Sequence, residues 1–138
     1  MNGWFAAGSG FTTVSPNRVV DTRSGIGGVA VSPVGNGSPV GSTLEFHVAG
    51  VGGVAGTGVT AVSLNVTVAN TASTVNGGGY VTVYPCWGSR PTVSNLNFVT
   101  DQVVPNAVVV PVDDNGHLCF YVYGRADLIV DVNGYFSG

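Results

Sequence analysis

AVVVPVDDNGHLCFYVYGRADLIVDVNGYF, Ala107 to Phe136, is the stretch whose reading decides the fold. Asp114-Asn115-Gly116 stands between two apolar runs. Asn-Gly at the centre of a two-residue loop, where both positions need positive φ, predicts a β-hairpin. In the outgoing run Leu118, Phe120 and Val122 fall on one face, and Cys119, Tyr121 and Tyr123 on the other. Beyond Gly124, Leu128, Val130 and Val132 alternate with Asp127, Ile129 and Asp131. The stretch therefore predicts three consecutive antiparallel strands sharing one apolar face. Leu64, Val66, Leu96 and Phe98 are expected to complete the core beside or opposite that face.

The remainder of the 138 residues extends the pattern. Valine occurs 28 times against five leucines and two isoleucines, with one Glu, one Gln, one Met and no Lys. Valine is stiff at χ1 and suits a pleated surface, so the composition favours sheet over helix. Period-2 patterning marks Thr43–Ala49, Val59–Ala69, Tyr80–Tyr84, Thr92–Thr100 and Val103–Val112 as strands. Phe11–Val14 is a short strand stopped by Pro16, and Asn17–Arg23 is the next. The Gly-, Pro- and Ser-rich segments 24–42, 50–58 and 70–79 are loops. Eight or nine short strands at such intervals predict an all-β antiparallel sandwich, jelly-roll-like, with an immunoglobulin-like strand order as the alternative. Residues 1–10 are expected to be a flexible tail or linker, and 11–138 a single domain.

Charge narrows the function. Only 8% of residues are charged and the net charge is −3. Four arginines make no basic footprint, which sets nucleic acid aside. No apolar run approaches the ~18 residues of a membrane-spanning helix. MNGWFAAGSG lacks the basic and apolar regions of a signal peptide, so the expectation is a leader already removed or a segment of a larger chain.

No catalytic set is legible, and the chain is read as a non-enzyme. Glycosidases need two flanking carboxylates, but Asp113 and Asp114 sit where Asp makes turn hydrogen bonds. Glu45, the sole glutamate, shares a strand face with His47, which suits an exposed pair better than an acid–base couple. There is no GxSxG elbow, and Gly25–Gly28 lacks the strand–helix context of a phosphate cradle. Asp21 and Arg23 share one side of a strand and predict a structural ion pair reaching Asp127, Asp131 or the backbone. Two lesser readings of these carboxylates are a ligand contact and a calcium site using Asp127 or Asp131; no other metal or cofactor is expected. Cys86 and Cys119 have no zinc-ligand spacing; they read either as one disulfide of an exported protein or as two buried thiols. The outward strand positions Ser63, Asn65, Thr67, Tyr80, Thr82, Tyr84, Asn95, Asn97, Tyr121 and Tyr123 are neutral and polar. They suit a polyhydroxylated ligand, or bulge capping by the asparagines.

The set NRVVDTR, AVSLNVTV, GYVTVYPC, SNLNF, VPNAVVVPV, HLC and LIVDVNGYF resembles a β-rich accessory module that recurs in secreted and cell-surface proteins of actinobacteria. The likeness runs in order from Phe11 to Phe136. It implies export, a non-catalytic role, and pairing of Cys86 with Cys119. The resulting expectation is an extracellular module that tethers its parent to a glycan or cell-wall polymer. Its ligand platform would be Trp87, Tyr84, Tyr121 and Tyr123, rimmed by Arg90, Asn95 and Asn97. The alternative is a structural, self-associating domain, used in tandem or as a fibre subunit, with the apolar Trp4-Phe5 arm adding to a neighbour's sheet edge.

Overall fold

The computed structural model describes residues 10–35, 41–73 and 78–138. The strands are β1 (Phe11–Asp21), β2 (Ser42–His47), β3 (Val59–Ala72), β4 (Gly79–Pro85), β5 (Leu96–Phe98), β6 (Val104–Pro111), β7 (His117–Tyr123) and β8 (Arg125–Ser137). They form two four-stranded antiparallel sheets, ordered β1-β8-β3-β6 and β2-β7-β4-β5. Apart from β4–β5, each strand crosses to the opposite sheet from its predecessor. This is the order of an eight-stranded jelly roll, so the β-sandwich is as expected.

The core lies between the sheets. Leu118, Phe120 and Val122 of β7, with Val81, Val83, Leu96 and Phe98 of its sheet, face Val62, Leu64, Val66, Val68, Leu128, Val130 and Val132 of the other. All ten side chains predicted as core are buried. Valine's β-branch fills this interface without the rotamer entropy of longer side chains.

The hairpin and the three-strand meander are corrected. β6, β7 and β8 pair with one another nowhere: β6 lies beside β3, β7 between β2 and β4, and β8 between β1 and β3. Alternation specifies which face of a strand is buried and is silent on which layer that strand joins. The turn differs too. Gly116 donates its N–H to the Asp113 carbonyl at 2.9 Å, and the Asp113 carboxylate accepts the N–H groups of Asn115 (2.9 Å) and His117 (2.8 Å). Only Gly116 of this turn has positive φ, +78°. The side chain of Asp113 thus closes a turn with one left-handed residue, as the turn reading of that aspartate expected, and the strands leaving it diverge. At the other end of β7, Gly124 (φ +99°) makes the crossover to β8 in one residue; a Cβ there would lie 2.9 Å from the Ala72 carbonyl oxygen.

Pro16 does not break β1. The strand runs through it with a register shift between Thr13 and Asn17. β1 is an edge strand, where a residue lacking N–H and an irregular ladder are tolerated.

Candidate functional site

Two surfaces carry the chemistry. The first is the outer face of the second sheet. Register puts Tyr123 beside Tyr80, Tyr121 beside Thr82, Cys119 beside Tyr84 and Glu45, and His117 beside His47. Tyr80 stacks on Tyr123 with ring centres 5.1 Å apart and meets Tyr121 at 6.0 Å. The Arg90 guanidinium lies 3.6 Å from the centre of the Tyr121 ring, a cation–π contact that shields one ring face. Tyr121 is buried, whereas Tyr80, Tyr84 and Tyr123 are half-exposed.

The segment after β4 folds back over this face. Cys86 and Cys119 form a disulfide with Cα atoms 5.1 Å apart, which anchors the segment at its start. Its far end is stitched to β4: the Thr82 hydroxyl donates to the Val93 carbonyl at 2.9 Å, and the Val83 N–H donates to Asn95 Oδ1 at 2.7 Å. Asn95 therefore stands in for a strand's backbone, and its carbonyl accepts from Asn106 of β6. Asn97 is exposed and accepts from the Ser94 hydroxyl at 3.0 Å.

Trp87 sits elsewhere. It follows Cys86 at the opposite end of β4 from Tyr80, roughly 15–20 Å along at ~3.3 Å per strand residue, and is 68% exposed. Among the described residues it stacks on none of the tyrosines. Instead it walls a depression of about 450 Å³ lined by Gly58, Val59, Thr60, Pro111, Val112, Asp113, Asp114 and Gly138. A second hollow of about 280 Å³, lined by Ala49, Thr57 and Asn115 among others, shares Gly58, Val59 and Asp114 with it. Asp113 is held by its turn, while Asp114 is exposed. The aromatic residues grouped by sequence thus divide into a tyrosine cluster, centred on Tyr80, and a tryptophan-walled groove.

A polar network occupies the side of the first sheet. Arg23 makes a two-pronged ion pair with buried Asp21, Nε to Oδ1 at 2.9 Å and Nη2 to Oδ2 at 2.8 Å, as the sequence predicted. Arg18, which no sequence pattern singles out, pairs with Asp131 at 2.9 Å and approaches Asp21 at 3.7 Å. Asp127 accepts from the Thr22 hydroxyl (2.6 Å) and from Asn70 (2.7 Å). The oxygens named for calcium are thereby engaged by protein donors.

The hydrogen bond from Arg23 holds the Asp21 carboxyl below its ordinary range, with the Arg23 backbone N–H and the charges of both arginines adding to it against the opposing effect of burial. A lowered folded value means the pair stabilises above the unfolded carboxyl's ~3.9 and is lost as pH falls through the lower folded value. Arg23→Gln is therefore expected to be less stable than the wild type at neutral pH, with the gap closing only below about pH 4. Urea melts from pH 7 to pH 2 check this; a gap that persists to pH 2 would detach Asp21 from the effect.

No family model and no curated protein matches the chain. The disulfide is formed, and among the described residues no helix is long and apolar enough to cross a membrane.

Proposed function

We propose that this domain is a non-catalytic, extracellular binding module that tethers its parent to a glycan or cell-wall polymer, with Trp87 as the stacking ring. One observation carries the reading: a tryptophan 68% exposed, next in sequence to a disulfide cysteine, forms the wall of an open groove. A large apolar ring left in water disfavours the free surface and favours a flat apolar sugar face. The exposed Asp114 carboxylate supplies acceptors for hydroxyl groups. The disulfide at Cys86 restricts the backbone that carries Trp87, which lowers the entropy that binding has to remove. The tyrosine cluster, with Arg90 already lying over the Tyr121 ring, is the weaker platform. The disulfide and the likeness to actinobacterial accessory modules support secretion or surface display.

A single such groove gives weak binding, in the ~mM to μM range or about 4–8 kcal/mol, raised by multivalent display. Trp87→Ala is expected to abolish retention on insoluble cell-wall polymer, chitin or cellulose while leaving the melting temperature unchanged. Tyr80→Ala is expected to retain binding. Sedimentation of protein with each polymer provides the measurement. Retention of Trp87→Ala equal to the wild type on every polymer that holds the wild type would refute the groove as the site. The Trp4-Phe5 arm invoked for self-association lies outside the described residues.

A further inference from the structure

The chain's two histidines and its single glutamate, scattered in sequence, meet on one patch of the second sheet's outer face. His47, the last residue of β2, is directly opposite His117, the first of β7. Their ring centres are 4.8 Å apart with planes inclined at 60°. Glu45, two residues along β2 on the same face, holds His117 Nδ1 through Oε2 at 2.5 Å. Neither the polymer groove nor the core accounts for this convergence. The pair is exposed, where a neutral edge contact contributes little, and His117 is only partly covered.

We propose that His47 and His117 form a binding site for a divalent transition-metal ion such as Zn²⁺ or Ni²⁺. Three features carry the assignment. Imidazole is the side-chain ligand suited to these ions, in contrast to the oxygen sets that calcium needs. The spacing fits: an ion at about 2.0–2.1 Å from one nitrogen of each ring, with roughly 90–110° between them, sets the ring centres about 4.5–5.2 Å apart. Finally, Glu45 takes His117 Nδ1, which leaves Nε2 as the nitrogen for the ion. A carboxylate on the non-ligating nitrogen is the usual support of a metal-bound histidine, fixing tautomer and ring orientation. The neighbouring sulfurs of Cys86 and Cys119, though close to Glu45, are bonded to each other and are not thiolate ligands. Waters would complete the coordination, so the site is open and of micromolar rather than structural affinity.

The two ligands sit directly opposite each other on adjacent, hydrogen-bonded strands. Neither histidine lines the Trp87 groove, and the test reads metal binding rather than polymer binding. Calorimetric titration of the tag-free full chain with ZnCl₂, and separately with NiCl₂, is expected to show one ion per chain. His47→Ala and His117→Ala should each weaken binding at least tenfold. Glu45→Gln, acting through His117, should weaken it by about ten- to a hundredfold without removing the stoichiometric site. All three side chains are at the surface, and unchanged melting curves in the absence of metal will confirm that the variants fold. An affinity undiminished in either histidine variant, or no binding up to millimolar metal, would overturn the proposal.

Discussion

Phe120→Ala is expected to destabilise the domain by about 3–5 kcal/mol. Phe120 is fully buried at the middle of β7, itself an inner strand of its sheet. Leu44 of β2 and Val83 of β4 are its register partners on either side. Removing the ring forfeits both its transfer free energy and the contacts of the cavity walls, and the β-branched residues of this core have little rotamer freedom with which to fill the space. Against a total stability of typically 5–15 kcal/mol, the loss takes a large share. Val109→Ala is the matched control: Val109 is 63% exposed on β6, and its truncation should change stability by less than about 0.5 kcal/mol. Urea denaturation measures both. A midpoint for Phe120→Ala within error of the wild type would mean that β7 does not present this face to the core.

The second large effect concerns the disulfide. Cys86 and Cys119 are separated by 33 positions, and a loop of that size restricts the unfolded chain by about 3–4 kcal/mol on the chain-entropy model. The Cys86→Ser/Cys119→Ser double variant is expected to lose that amount, read as a lower urea midpoint. A local consequence should accompany it: freed at its start, the 86–95 segment holds Arg90 over Tyr121 less firmly, so tyrosine accessibility should rise before global unfolding. A double variant as stable as the oxidised wild type would show that the bridge constrains nothing the sheets do not already fix.

The sandwich and its core are legible in the sequence because period-2 patterning is a local property of each strand. Leu64, Val66, Leu118, Phe120 and Leu128 announce their buried face without reference to partners. The layer each strand joins is not legible. Asp113 to Gly116 looks like a hairpin turn from its neighbours alone, and what separates β6 from β7 is pairing with distant β3 and with β2 and β4. The same physics governs the site. Tyr80, rather than Tyr84, joins Tyr121 and Tyr123 because register across β4 and β7 decides it. Trp87 is readable as a loop residue next to the cysteine, yet the direction of that loop away from the tyrosines is a tertiary fact. Asp21–Arg23 is visible at i, i+2, whereas Arg18–Asp131 and His47–His117 need strands far apart in the chain to meet. The only signal for the last is the scarcity of His and Glu in the sequence.

The strand order has a kinetic consequence. β8 is flanked by β1 and β3, so the first strand made has no place in its sheet until the eighth has arrived. β7 likewise separates β2 from β4. During synthesis, among the described strands, only the β4–β5 pair, three rungs long, can form between consecutive strands, and each other pairing must close a long loop first. Such topologies fold on the order of milliseconds to seconds, and here the first sheet is complete only once Arg125–Ser137 is free. Until then β1 and the β8-facing edge of β3 have no partner and are at risk of association with other chains, so aggregation of nascent or C-terminally truncated protein, rather than slow unfolding of the finished domain, is the hazard that expression of this chain has to manage.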